Sequence, residues 1–274
     1  MDILNVIALS MKAIKKHPRF LLPAIMVTIL GTIVGLILVA FILISPTLSH
    51  RATSLDASLS TLPLVMQAII PALAIFIVIF FFIGAFVQGT YVMLCSKWRS
   101  KEVSIKWAFS ATSSRYVDLL LFGILISAIY VSLIAIFLLP AAYIGFSAVS
   151  GSANPSPSAL LVTIFLILLL ILLFAIAAVI VSVFFFVSIP LILLKRRGPL
   201  QSLKESYAIC RKDFVNILVL LIANAILMGA IEVVGSMFQV IPIIGTIIYI
   251  IISIFVSSYS QMVPTMYYTE IYKK

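Results

Sequence analysis

The sequence predicts an all-α polytopic membrane protein, a bundle of six transmembrane helices with three short amphipathic helices at its cytoplasmic face. Three observations lead to this class. Of 274 residues, 64% are hydrophobic and only 9% charged, against about 25% charged in an ordinary soluble domain, and the mean hydropathy is +1.31. Six apolar runs reach the roughly 20 residues that a helix needs to cross about 30 Å of hydrocarbon. Lysine and arginine gather in alternate connections, the pattern that membrane orientation produces. So few charges cannot cover a water-soluble fold of this length. That excludes a cytosolic enzyme, a disordered chain and a nucleic-acid-binding domain. The net charge of +10 and pI near 9.7 then point to a membrane surface rather than to nucleic acid. Two cysteines, Cys95 and Cys210, with no CxxC, give neither a disulfide framework nor a zinc site.

The elements follow in chain order. Residues 1–19 hold the first amphipathic stretch, with Ile3, Leu4, Ile7, Met11 and Ile14 on one side of a helix and Asn5, Lys12 and Lys16 on the other. The six apolar runs cover about 20–45, 63–95, 117–146, 158–194, 214–234 and 240–268. They lack the period-2 polarity and ten-residue length of barrel strands, so they are helices. The run 158–194 would extend roughly 55 Å as one straight helix at ~1.5 Å per residue, so it has to tilt or bend. Pro190 and Pro71 are the expected bends, because proline removes a backbone donor and crowds the preceding turn. Gly31 and Gly35 form a GxxxG in the first run. Such a pair permits close helix approach, within the chain or between two copies. The segment from Gly235 to Pro242, with Gly245 beyond it, is read as a tight external hairpin.

Orientation follows from the basic residues. Lys12, Lys15, Lys16 and Arg19 precede the first run, and Lys97, Arg99, Lys101, Lys106 and Arg115 separate the second from the third. Lys195, Arg196, Arg197, Lys204, Arg211 and Lys212 separate the fourth from the fifth, and Lys273 and Lys274 end the chain. Among the other connections only Arg51 is basic. The sequence therefore predicts a multi-pass protein of the plasma (inner) membrane with N- and C-termini cytoplasmic. The first run exceeds a 7–15-residue signal-peptide core and has no A-x-A site after it, so it is expected to stay as an anchor.

Residues 1–274 are read as a single integral membrane domain with a threefold internal pattern, units of about 1–95, 96–194 and 195–274. Each opens with a short amphipathic stretch beside a basic cluster. The second stretch groups Ile105, Ala108, Phe109 and Thr112, and the third Leu200, Leu203, Tyr207 and Cys210. Helices of this kind lie in the headgroup plane, where Trp107 and Tyr207 suit the depth.

The stretch from Pro190 to Tyr207, PLILLKRRGPLQSLKESY, continues through Arg211, Lys212 and Phe214. It resembles six-span prokaryotic membrane proteins related to the membrane domain attached to some glycerophosphodiester phosphodiesterases, a mostly uncharacterised group. In those proteins a proline-ended span leads to a glycine and an "ALxxS"-like amphipathic helix. Gly198, Leu203 and Ser206 hold the matching places. Ser202 stands where the pattern has alanine, and Arg197 where it has an acid. Lys16-His17-Pro18 with Leu21, Leu22 and Pro23 is similar to the segment leading into that group's first span. The resemblance implies a six-span architecture rather than a chemistry.

No residues of this sequence form a catalytic, cofactor-binding or metal motif: GxxxxGK[ST], HExxH, GxSxG and GxGxxG are all absent. His17 and His50 are expected on opposite sides of the membrane. The function expected is therefore non-enzymatic, without a cofactor. Lys12, Lys15, Lys16, Arg19, Lys195, Arg196, Arg197, Arg211 and Lys212 are the candidates for engaging anionic lipid headgroups or recruiting partners, since each cation near an anionic leaflet contributes about 1 kcal/mol. The partners expected are the lipid bilayer, with anionic lipids first, and then a second copy of the chain or another membrane protein. The alternative is a transporter or channel for a small solute or lipid, with Glu232 and Asn224 as its candidate polar groups, because ionisable groups inside spans are functional candidates.

Overall fold

The computed structural model describes residues 3–44, 62–100, 103–150, 157–241 and 243–272. His50, Arg51, Lys101, Pro242, Lys273 and Lys274 lie outside the described residues. Within them every regular element is helical: α1 (Ile3–Lys16), α2 (Leu22–Ile44), α3 (Leu62–Ser96), α4 (Ile105–Ser113), α5 (Tyr116–Leu133), α6 (Leu139–Ser150), α7 (Pro157–Phe184), α8 (Ser188–Leu194), α9 (Pro199–Lys212), α10 (Phe214–Met237) and α11 (Ile244–Tyr267). Six stretches are long and apolar enough to cross a membrane: Pro18–Ile37, Phe76–Ser96, Tyr116–Ser147, Leu160–Leu194, Phe214–Val240 and Ile244–Ile271. The all-helical, six-span class expected from composition is the one observed.

Prolines shape these spans unevenly. α3 runs through Pro71 without a break. The fourth span does break, but α7 ends at Phe184 and α8 begins at Ser188, so Pro190 is the third residue of the new helix. There its missing N–H would have met the Phe186 carbonyl in a continued helix, and the turn at 185–187 releases that carbonyl. The third span holds a feature that periodicity does not show, a π-helical segment at Ile134–Leu138 between α5 and α6. Pro140 follows it, and the carbonyl that Pro140 cannot satisfy is that of Ile136, inside the widened turn.

The chain forms two compact units, Met1–Tyr116 with Asn224–Lys274, and Val117–Ala223. They divide the chain at other places than the pattern units 1–95, 96–194 and 195–274. In the first unit α11 packs against α1, α2 and α3, and α3 also packs against α2 and α4. Its core is Val6, Ala13 and Phe20 from the N-terminal segment, Tyr91, Leu94 and Cys95 from α3, and Tyr259, Met262 and Met266 from α11. Gly31 faces the Phe80 ring of α3, where an added Cβ would sit 3.1 Å away, while Gly35 has open space. At least half of the GxxxG thus packs within the chain. Gly245 closes the α10–α11 hairpin, and a Cβ there would lie 1.6 Å from the Phe238 carbonyl oxygen, so only glycine fits.

In the second unit α7 packs against α6 and the π-helical segment, and α9 against α7 and α8. Its core forms around Val183, Val187, Leu191 and Ile192. In the most apolar stretch of the Leu160–Leu194 span nothing is buried, as expected of a helix whose solvent is lipid. In both units burial concentrates at the ends that carry the basic segments.

Candidate functional site

The three amphipathic helices all form; α4 and α9 dock on the protein through small side chains, and α1 through a mix of small and large ones. α4 buries Ala108 and Thr112 against α3, capped at its start by Ser104, whose hydroxyl accepts from the Trp107 amide at 3.3 Å. α1 buries Val6, Ser10, Ala13 and Ile14 against its neighbours, while Ile7 and Met11 are only half-buried. α9 buries Ser202, Ser206 and Cys210, spaced four apart, and leaves Leu200 65% and Tyr207 45% exposed. In α1 and α9 the docked face is turned by about 90° from the large apolar stripe that the sequence picked out, counting 100° per residue. The reason is steric. Small residues let helix backbones approach closely; in α9 the larger Leu200 and Tyr207 stay at the perimeter, while α1 buries Val6 and Ile14 beside Ser10 and Ala13.

In α9 the docking is polar as well as close. The Ser206 hydroxyl donates to the Phe184 carbonyl at 2.8 Å, at the end of α7. The Cys210 thiol lies against the Phe186 and Val187 carbonyls, and burial pushes its pKa up. Phe184 also stacks on Tyr207, with ring centroids 4.8 Å apart. The broken end of the fourth span thus supplies the seat for α9.

All nine cations singled out for headgroups, Lys12, Lys15, Lys16, Arg19, Lys195, Arg196, Arg197, Arg211 and Lys212, are exposed. Within the first unit, Arg19 donates through Nη1 to the Val103 carbonyl at 3.3 Å, and the His17 Nε2 lies 3.2 Å from the Trp98 carbonyl oxygen. Those two contacts fix the turn at Pro18–Leu21 to the segment after α3.

Within the second unit, Glu205 takes two members of the Lys195–Arg197 cluster, Arg197 Nε at 2.9 Å and Lys195 Nζ at 3.8 Å. Among the described residues the Arg196 side chain has no ion-pair or hydrogen-bond partner. Its backbone is left-handed, with φ 56°, a conformation that costs a non-glycine residue about 1–3 kcal/mol. Beyond it Gly198 precedes α9 with extended φ/ψ and gives no side-chain cap, and Pro199 occupies the first turn. A groove of about 530 Å³ opens here. Leu121, Ile124 and Leu125 of α5 form one wall and Gly198–Leu200 the other, with Gln201 the one polar lining side chain.

The transport candidates stand apart from this loop. Glu232 is half-buried and interacts with the Tyr249 hydroxyl of the next helix. Among the described residues the buried Oδ1 of Asn224 has no hydrogen-bond partner. Among the described residues no three His, Cys, Asp or Glu side chains come together.

One charged pair escaped the sequence reading. Arg99, 65% exposed, donates through Nη2 to the carboxylate of Glu270, which is 6% exposed at the end of α11. The signal available was a single acid placed after a span among the C-terminal basic residues, but its partner lies 171 positions away. Nearby, Lys97 Nζ sits 3.7 Å from the centre of the Trp107 ring, a cation–π contact that anchors α4.

With this geometry in view, comparison places the chain. A family described as a domain of unknown function (DUF7847) has a model that matches residues 1–273, and the chain belongs to that family. No curated protein and no solved structure matches it.

Proposed function

We propose that this is a non-enzymatic protein of the plasma membrane, with both termini cytoplasmic, whose cationic collar holds anionic lipid headgroups of the cytoplasmic leaflet. The observation that carries the reading is the exposure of all nine collar cations around short helices that dock on the protein. Such docking leaves larger side chains, Leu200 and Tyr207 in α9, on the outside, and an interfacial helix inserts residues of this kind. Each exposed cation near an anionic leaflet adds about 1 kcal/mol. Kinship with the membrane domain attached to some glycerophosphodiester phosphodiesterases belongs to the same proposal. It is supported by the places of Gly198 at the start of α9 and of Ser206 in the buried seam.

The test is lipid retention in mild detergent. Glutamine at Lys12, Lys15, Lys16, Arg211 and Lys212 should reduce retained phosphatidylglycerol relative to phosphatidylcholine by at least about tenfold, the equivalent of 1.4 kcal/mol. An unchanged ratio rejects the collar. A second reading, a path for a small solute, draws on the buried Asn224 carbonyl inside α10. It predicts a cation or proton leak in proteoliposomes that Asn224→Leu or Glu232→Gln abolishes, and equal leak in these variants rejects it.

A further inference from the structure

We infer that the groove between α5 and the start of α9 binds one anionic phospholipid, with an acyl chain along the groove and the phosphate at Arg196. This rests on the headgroup reading above and names the site at which it acts.

The groove has the volume of a small-molecule site, about 530 Å³ within the roughly 300–1,000 Å³ usual for such sites. Its walls are Leu121, Ile124 and Leu125 on one side and Gly198, Pro199 and Leu200 on the other, with only Gln201 to offer a polar group. A water-soluble ligand would lose its hydration there without gaining hydrogen bonds, whereas a run of methylenes loses nothing. The position fits as well. Leu121–Leu125 lie five to nine residues into α5, about 8–14 Å from its start at ~1.5 Å per residue, the depth of acyl carbons below a headgroup. Leu200, the most exposed of the wall residues on α9, borders the groove.

The charge comes from the loop that leads into the groove wall at Gly198. Lys195 and Arg197 are committed to Glu205, so Arg196, exposed and held in a left-handed turn, is the cation of this loop left for an outside anion. Two residues later α9 starts without a side-chain cap, and the amides of its first turn add the positive end of a helix dipole. An apolar slot whose wall starts two residues after an unpaired guanidinium matches a lipid that joins an acyl chain to a phosphate, and an anionic lipid more than a zwitterionic one, because the Glu205 carboxylate is already taken by Lys195 and Arg197.

Native mass spectrometry of the full chain in mild detergent, titrated with dioleoyl phosphatidylglycerol or dioleoyl phosphatidylcholine, separates the two halves of the site. The first lipid bound per chain should be phosphatidylglycerol, favoured about tenfold over phosphatidylcholine, as one charge-assisted contact provides, with weaker binding to the collar after it. Gly198→Leu puts a side chain where a Cβ meets nothing within 4 Å and fills the groove, so this first lipid is lost whichever headgroup it carries. Leu125→Trp, filling from the opposite wall, should give the same loss. Arg196→Gly suits the φ of 56° and leaves the groove open, so lipid still binds but the preference for phosphatidylglycerol disappears. The first lipid retained by both groove-filling variants, or a preference unchanged by Arg196→Gly, overturns the site. The collar variants at Lys12, Lys15, Lys16, Arg211 and Lys212 touch neither wall, so they should lower the phosphatidylglycerol bound beyond the first molecule and leave that first one in place, whereas the groove-filling variants should remove the first and spare the rest.

Discussion

The same tie between neighbouring spans occurs in both compact units, in different surroundings. In the first, Tyr91 of α3 donates to Ser258 of α11 at 2.8 Å, and Ser258 passes its own proton to the Ile254 carbonyl. In the second, Tyr130 of α5 donates to Ser182 of α7 at 2.9 Å, and Ser182 donates to Ala178. Tyr91 is buried and belongs to a core with Leu94, Tyr259 and Met262. Tyr130 is half-buried on helices whose Leu168, Leu172 and Val179 are exposed. The difference shows where a lipid-solvated chain needs close packing. Apolar faces gain little by leaving hydrocarbon for protein, whereas a hydroxyl away from water gains from a partner inside the protein at any depth. The hydrogen-bonded tie is therefore common to both units, and the dense core around it is not.

That contrast sets the order of expected effects. The largest comes from cavities. Leu94→Ala in the first unit should destabilise by about 2–5 kcal/mol, while Leu168→Ala, on an exposed face of the second, should stay within about 0.5 kcal/mol. Reversible unfolding in mixed micelles measures both, and equal losses would erase the distinction between the units. Next is the charged pair. Arg99→Ala strands the buried Glu270 carboxylate and should lose about 1–3 kcal/mol, more than Glu270→Gln, which leaves only an exposed guanidinium behind. The reverse order would mean that Glu270 is not sealed from solvent.

Smaller effects sharpen the comparison. Tyr130→Phe removes one hydrogen bond and leaves Ser182 its carbonyl partner, so it should lose about 0.6 kcal/mol; Tyr91→Phe also ends the contact of its hydroxyl with the Ala24 backbone and should lose more. Equal losses would show that the Ala24 contact adds nothing. The smallest is a pH effect at Cys210. Burial raises this thiol above the ordinary 9.0, so the folded chain keeps a proton that the unfolded chain releases. The resulting stabilisation is complete below pH 9.0 and declines as pH rises through the folded value. The advantage of the wild type over Cys210→Ala should accordingly shrink in alkali, with thiol alkylation slow until unfolding. A pH-independent difference would show that the thiol is not sealed.

The spans were legible because length and hydropathy suffice: no other solvent accommodates runs such as 158–194. The basic segments were legible as well, since each lies beside a short amphipathic stretch that the structure shows as a docked helix. The docking faces of α1 and α9 were not, because large apolar residues dominate a helical projection while the contact includes Ser10 and Ala13, or is made by Ser202 and Ser206. The spacing of 202, 206 and 210, small residues four apart, was the signal to weigh. The pairing of Arg99 with Glu270 joins residues 171 positions apart, and the groove beside Gly198 needs α5 brought against α9. Neither leaves a local trace. Of the candidate residues, Arg196 was visible only as one of three neighbouring cations. Its backbone conformation, and Glu205's claim on the other two, set it apart.

All of this stands on the basic ends of the helices sharing one side of the membrane, facing the cytoplasm. Single cysteines at Lys204 and at Gln239, introduced with Cys95→Ala and Cys210→Ala, can be challenged on intact cells with a membrane-impermeant maleimide. Gln239→Cys should react and Lys204→Cys should stay unmodified until the membrane is permeabilised. Reaction at Lys204→Cys in sealed cells would turn the collar outward and contradict both the orientation and the lipid site built on it.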